Sequence, residues 1–273
     1  MDGLRESVAY IRDRSAVVPR VALVLGTGVQ ALADAIRVHD VLEFSAIPGF
    51  PVPTLEFHRG RVLLGELDGV PVVALQGRAH RYEGHSLDSI VDPIRIVQLL
   101  GAEILVTTGA CGGLDPAHEL GDLVLVRDHL NLTGESALAG PNLDDLGPRF
   151  PDMSAPYDPT LAEIAREAAR GLGIPLKDGV YAGVVGPQLS TRAEYAMLRT
   201  LGADVVGMST VQEVLVARHA GMRVLTVTFV TDLCHPDALE PINVERIMRV
   251  AAEADPHIES LIRAVVRTAG STE

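Results

Sequence analysis

The chain has 273 residues, 47% of them apolar and 22% charged, with a formal net charge of −13 at pH 7. That composition suits one domain with a large core, and the acidity argues against a nucleic-acid backbone as partner, though not against a small phosphate in a locally basic pocket. Cys111 and Cys234 are too few for a disulfide framework, residues 1–20 carry no signal-peptide core, and no apolar run approaches the ~20 residues of a membrane span, so a cytoplasmic protein without membrane attachment is expected.

In chain order, residues 3–15 are predicted to form an amphipathic helix with Leu4, Val8 and Ile11 on one face. Val21–Leu25 is a continuous apolar strand, followed by the turn Gly26-Thr27-Gly28 and a helix over Val29–Ile36. The segment Val38–Pro51 reads as a loop or an edge, and the Pro- and Gly-rich stretch continues to Gly60. Arg61–Leu67 and Val70–Gln76 form a hairpin through Asp68-Gly69. Gln76–His85, QGRAHRYEGH, sets Arg78, His80, Arg81 and His85 beside neutral strands, as an anion loop or a solvated basic one would. Leu87–Leu100 is a helix begun near Ser86 or Asp88. Ile104–Thr107 is a buried strand running into Thr108–Gly113, TGACGG, whose small residues let backbone N–H groups approach a ligand. Asp122–Arg127 is a strand, and Asn131–Pro159 is a long stretch without period, which in a compact domain marks function or an interface. A helix over Thr160–Gly171, a strand over Gly179–Val185 ending in Gly186-Pro187-Gln188-Leu189-Ser190, and a helix over Thr191–Leu201 follow.

The stretch Gly202–Gly221, GADVVGMSTVQEVLVARHAG, organises the rest. Asp204–Met208 is a short buried strand, and Thr210-Val211-Gln212-Glu213 has capping-box spacing. Val211, Val214, Leu215 and Ala217 keep a helical period until Gly221 stops it. With the apolar run Val224–Val230, this reads as a βαβ unit of a parallel-type sheet. Ser209 then lies where a strand's carboxyl end meets a helix N-terminus, either capping that helix or presenting its hydroxyl to an anion. A helix from Asn243 to about Arg267, with Ile247, Val250, Ile258 and Ile262 on one face, closes the chain. No repeat or linker interrupts it, so residues 1–273 are expected to form a single α/β domain with a mixed central sheet flanked by helices.

No His-x-x-x-His, Cys-x-x-Cys or Asp-rich run is present, and neither a metal nor another cofactor is expected. A G-x-S-x-G elbow is absent too. Gly26, Gly28 and Ala31 fit the dinucleotide pattern, which makes an NAD-binding oxidoreductase the rival class. The acid that should close the next strand is not evident, because Asp40 and Glu43 come early. The remaining polar groups are hydroxyls, backbone N–H groups, an Arg and a few His, which suit a reaction with phosphate itself as nucleophile.

Four blocks in order carry a resemblance: Gly26-Thr27-Gly28, QGRAHRYEGH, TGACGGL at Thr108–Leu114, and GADVVGMSTVQEVLVARHAG. Together they closely resemble the trimeric purine nucleoside phosphorylases. The resemblance, from about residue 20 to the C-terminal helix, implies the nucleoside phosphorylase fold and reversible phosphorolysis of purine (2′-deoxy)ribonucleosides to free base and (deoxy)ribose 1-phosphate. It implies a phosphate site of Thr27, His58, Arg78, His80, Ala110 and Ser209, and catalytic roles for His80, Arg78 and Asp232. For the nucleoside it implies Tyr82, Ala110, Cys111, Gly112, Leu189, Ser190, Val206, Gly207, Met208, Asp232 and Val244. It further implies a cyclic homotrimer in which Phe150, within Arg149-Phe150-Pro151, reaches the neighbouring subunit's ribose.

Departures from the 6-oxopurine pattern are informative. Leu189-Ser190 stands where those enzymes carry Phe-Glu, Thr231-Asp232 where they end a strand in Asn, and Val244 where a His meets the ribose 5′-hydroxyl. Ser with Asp at these two places resembles the methylthioadenosine phosphorylase branch, while GRAHRYEGH and the Asn131–Tyr157 loop resemble ordinary purine nucleoside phosphorylases. Gly109 also stands where Asn is usual. The expected function is therefore a purine nucleoside phosphorylase, with a phosphorylase of 5′-methylthioadenosine or another 5′-deoxyadenosine as the alternative. A non-catalytic nucleoside-binding protein would need a broken phosphate site.

Overall fold

Apolar residues on the strands fall into two sets that pack against helices on opposite faces of a nine-stranded sheet. A computed structural model of the chain describes residues 1–270. The amphipathic N-terminal helix is α1 (Asp2–Arg12), and β1 (Val21–Leu25) follows. The helix expected over Val29–Ile36 is only α2 (Ala31–Asp34), because the chain turns into β2 (Arg37–Glu43), an exposed edge strand rich in charge. The hairpin β3 (Arg61–Leu67) and β4 (Val70–Gln76) has the expected bounds, and Asp68 and Gly69 both take positive φ at its turn. Then come α3 (Leu87–Leu99), capped by the Ser86 side chain, β5 (Ile104–Gly113) and β6 (Leu123–Asn131). No helix or strand lies between β6 and α4 (Pro159–Leu172), as expected of the long stretch.

The remaining elements are β7 (Leu176–Gly183), α5 (Arg192–Thr200), β8 (Val205–Gly207), α6 (Val211–His219), β9 (Arg223–Leu233) and α7 (Val244–Gly270). Strands read from sequence as Asp122–Arg127 and Gly179–Val185 are β6 and β7, displaced toward each other's register because they pair in parallel from Leu123↔Leu176 to Asn131↔Gly183.

Strand order is β2-β3-β4-β1-β5-β8-β7-β6-β9, and β9 also pairs with β5. Five strands, β5-β8-β7-β6-β9, thus close a ring, and β1, β4, β3 and β2 extend from it as an open sheet. The βαβ reading of β8, α6 and β9 is corrected here. The two strands are not paired with each other: β8 runs antiparallel to β5, while β9 runs parallel to it. Local pattern fixes strand, helix and strand, but not which third strand each one meets. Ring closure decides that.

β1 is apolar without alternation because both of its faces are covered. Ala22 and Val24 pack with α1, α3 and α6, and Val21, Leu23 and Leu25 with α2 and α7. A third, smaller cluster ties α5 to the end of the ring through Tyr195, Leu198, Val206 and Cys234. Among the described residues no helix is long and apolar enough to cross a membrane.

The important local feature is one edge of β5. It pairs with β1 as far as Thr107 and with β8 only from Gly112 onward. Between these points Thr108, Gly109, Ala110 and Cys111 have no strand partner on that edge among the described residues, so backbone faces open space where β1 ends and β8 arrives. Gly26 permits the approach, since a Cβ there would lie 2.5 Å from the Thr108 carbonyl oxygen.

Candidate active site

A pocket of about 620 Å³ opens over this gap in β5. Its walls are the β1 turn, the segment after β4, the turn after β7, β8 with Met208 and Ser209 just before α6, the end of β9 and the start of α7. The sequence-derived residues Thr27, His58, Arg78, His80, Tyr82, Ala110, Cys111, Gly112, Leu189, Ser190, Val206, Gly207, Met208, Ser209, Asp232 and Val244 all line it. Phe150 does not. It stands 88% exposed in the long loop, outside the pocket.

Charge concentrates at one end. Arg78 is 7% exposed and donates from Nη2 to the Thr108 carbonyl at 2.9 Å. Its Nε lies 3.4 Å from Glu213 Oε1, an ion pair between buried groups, and neither Nε nor Glu213 Oε2 has a hydrogen-bond partner. The capping-box reading of Thr210 and Glu213 fails here. Thr210 makes no side-chain cap bond, and the Glu213 carboxylate is drawn inward to Arg78 instead. Burial raises the Glu213 pKa and the Arg78 charge opposes the rise.

Thr210 itself sits at φ 70°, ψ −59°, and the Val211 N–H donates to the Ser209 carbonyl at 2.7 Å. This is a γ-turn of the rare positive-φ kind, strained for a β-branched residue. It turns the chain between β8 and α6 with Ser209 in the pocket wall. The N-terminus of the helix predicted after Gly28 is not free to hold an anion. The Gln30 and Ala31 N–H groups of the short α2 already donate to Asp255 Oδ2, at 3.0 and 2.8 Å. That carboxylate removes the dinucleotide reading as well, because it occupies the position a pyrophosphate would need.

Two histidines complete the charged end. His80 Nδ1 lies 3.1 Å from Glu83 Oε1, which also accepts from the His80 backbone N–H at 2.7 Å. Glu83 accepts from the Thr54 N–H and hydroxyl, and these bonds hold its carboxyl below the usual range against the opposing effect of burial. An ionised Glu83 selects the Nδ1–H tautomer of His80 and leaves Nε2 as an acceptor. Burial lowers the His80 pKa to about 4, helped by the Arg78 charge. Burial, then His80 and Arg78, lowers His58 to about 3, and neither His58 ring nitrogen has a partner. Tyr82 stacks on His80 with ring centroids 4.8 Å apart.

The opposite end is apolar, with one carboxylate. Asp232 lies near the end of β9, and burial raises its pKa while Arg246 opposes the rise. Leu189, Ile242, Val244, Ile247 and Met248 form the mouth, and Val244 is 61% exposed. Burial pushes the nearby thiols of Cys111 and Cys234 up to about 12, so both are packing groups rather than nucleophiles. Sequence reasoning missed Glu83, Glu213 and Arg246. The spacing His80-x-x-Glu83 was a legible signal for the first, whereas the other two meet their partners only through the fold. Among the described residues no group of His, Cys, Asp and Glu is placed to hold a metal ion.

A ring of five strands fused to an open sheet, with a pocket at the strand-edge handover, defines an α/β protein of the nucleoside phosphorylase type. The phosphorylase superfamily model matches residues 20–267. Purine nucleoside phosphorylase 1 of Bacillus subtilis is 42% identical, over 97% of this chain and 98% of its own length. The structure of Schistosoma mansoni purine nucleoside phosphorylase in complex with adenosine superposes with a TM-score of 0.92 at 35% identity, covering 97% of this chain and 96% of that one. Isoform 2 from the same organism, in complex with cytosine and ribose-1-phosphate, gives 0.93 at 36%, covering 97% and 95%. The chain belongs to the phosphorylase superfamily and, within it, to the purine nucleoside phosphorylases.

The lowered histidine pKa values fix a pH dependence. His58 binds a proton more readily unfolded, near pH 6.5, than folded, near 3, so its contribution is present above about 6.5 and lost as pH falls toward 3. Between pH 7.5 and 5 urea unfolding should show a loss of about 1–2 kcal/mol traceable to this group. His58→Gln should flatten the slope, and an unchanged slope would show that His58 is not buried neutral.

Proposed function

We propose that this chain is a purine nucleoside phosphorylase that uses inorganic phosphate, without a resident cofactor, to release free purine and form ribose 1-phosphate. The observation that carries the reading is a single pocket with a buried cation and two neutral histidines at one end and an apolar slot with one carboxylate at the other. Phosphate binds at the first end. Arg78 supplies the charge, Thr27, Ser209 and the Ala110 N–H donate, and His80 Nε2 accepts the proton of monohydrogen phosphate or of a ribose hydroxyl. His58, with both ring nitrogens unpartnered, lies between phosphate and sugar. Tyr82 and Met208 pack on the ribose, and Cys111, Gly112, Val206 and Gly207 line the base slot. As the glycosidic bond lengthens, an oxocarbenium-like sugar is held between phosphate and a purine that departs with negative charge at N7. A cytoplasmic location fits a reaction on small metabolites.

Arg78→Ala should raise the phosphate KM at least tenfold, each charge-assisted bond being worth about 1.5–3 kcal/mol, with Arg78→Lys intermediate. Phosphate should raise the wild-type Tm and NAD should not. Stabilisation by NAD alone would overturn the reading.

The assembly proposed is a cyclic homotrimer in which Phe150 closes a neighbour's ribose site. The long loop that carries Phe150 and the exposure of its ring support this. Sedimentation should give a trimer, and Phe150→Ala should raise the nucleoside KM with little effect on Tm. A fully active monomer is the contrary result.

At the base end, a protonated Asp232 donates to N7 while its other oxygen accepts from a 6-amino group. Its raised pKa favours that form. The wild type is therefore expected to process adenosine at least comparably to inosine. Asp232→Asn should shift the ratio of specificity constants toward inosine about tenfold, the equivalent of one hydrogen bond of ~1.4 kcal/mol. A wild type confined to inosine, or an unchanged ratio, removes Asp232 as the selector. The apolar mouth at Leu189 and Val244 favours a second reading, acceptance of 5′-methylthioadenosine, which the same substrate panel measures.

A further inference from the structure

Arg246 is absent from the pocket wall, yet its guanidinium reaches the carboxylate that is there. Its Nη2 lies 3.5 Å from Asp232 Oδ1, and its Nη1 donates to Glu240 Oε2 at 2.8 Å. The residue is fixed in the first turn of α7, where its backbone N–H donates to Asn243 Oδ1 at 2.9 Å. On the other side of Asp232, Cys234 Sγ lies 3.8 Å from Oδ2, and Tyr195 of α5 stands close enough to feel the carboxyl charge. The groups facing Asp232 are thus a cation from α7, that cation's own anion from the preceding loop, a thiol from the residue just past β9 and a phenol from α5.

We infer that Arg246 is a positioning residue for base recognition: acting through Asp232, with Glu240 as counterweight, it decides whether the carboxyl at the purine end of the pocket can donate a hydrogen bond. The consequence for substrate choice rests on the phosphorolysis reading above, whereas the geometry does not. A carboxylate beside a guanidinium is held ionised and only accepts, while a carboxyl released from it can be protonated and donate to N7. Burial pushes the Asp232 pKa up, Arg246 pulls it down, and Glu240 adds to the rise. Glu240 also engages the other arm of the guanidinium and so draws its charge away from Asp232. The two neighbours therefore act in opposite senses on one proton. Because the donating form is the protonated one, phosphorolysis of adenosine is present below the Asp232 pKa and lost as pH rises through it.

Opposite signs make the test selective. The Asp232 carboxyl is titrated by carbon-13 NMR in ¹³C-aspartate-labelled wild type, R246Q, E240Q and R246K, with D232N identifying the resonance by difference. kcat/KM for adenosine is measured across the same pH range. R246Q should raise the titration midpoint and the basic limb of the profile by about one unit. E240Q should lower both, R246K should stay near wild type, and the phosphate KM should be unchanged in all three. A simple packing role would not move two neighbours in opposite directions. Midpoints that do not move, or that move together, overturn the inference. Midpoints that move oppositely in a protein that does not process adenosine support the role of Arg246 and overturn instead the assignment of the base end.

Discussion

One edge of β5 passes from β1 to β8 between Thr107 and Gly112, and the site exists because of that gap. A strand pairing on both edges along its whole length would leave no backbone for a ligand. Here the open sheet and the ring share β5 but not its edge partner, and four residues of strand stay free on that side. Three walls of the pocket are built where elements end near this handover: the β1 turn, Ser209 at the γ-turn before α6, and the end of β9. The small residues follow from the same constraint. Gly26 lets its turn touch the Thr108 backbone, and a Cβ on Gly207 would enter the Tyr181 hydroxyl.

The electrostatics of the charged end are set by burial. Arg78 is the cation that stays charged there, and it is paired on its inner side by Glu213. A buried ion pair of this kind is weak support for stability and strong support for geometry, because removing either partner leaves an uncompensated charge. Both histidines are neutral at physiological pH, since desolvation and the same Arg78 charge act against a second cation. This end of the pocket thus combines one fixed charge with neutral groups able to accept or donate. Glu83 fixes which His80 nitrogen holds the proton, and Thr54 fixes Glu83.

The apolar end of the pocket follows the opposite plan. Its single carboxylate is flanked by groups from α5, from α7 and from the segment between β9 and α7, and Arg246 and Glu240 among them oppose each other electrostatically. In the 6-oxopurine pattern an amide at this place offers donor and acceptor without titrating. Asp232 offers the same pair of functions only when protonated, so its hydrogen-bonding state is tied to the charge network of the loop before α7.

Much of this was legible in the residues. Continuous apolar runs gave β1, β5 and β9, Asp68-Gly69 gave the hairpin turn, and the four motif blocks supplied eleven of the sixteen expected site residues that do converge on one pocket. Those features are local: periodicity, turn chemistry and the glycine positions depend on neighbours a few residues away. The ring closure, the antiparallel placement of β8 and the inward turn of Glu213 were not legible, because each depends on a partner far along the chain. Thr210-x-x-Glu213 satisfies a capping rule on paper, but a buried Arg78 competes for the same carboxylate and wins, since an unpaired buried cation costs more than a lost cap. Sequence by itself therefore determined which residues line the pocket. Tertiary structure decided which charge faces which, because only burial gives those charges a low-dielectric surrounding in which a few ångströms matter.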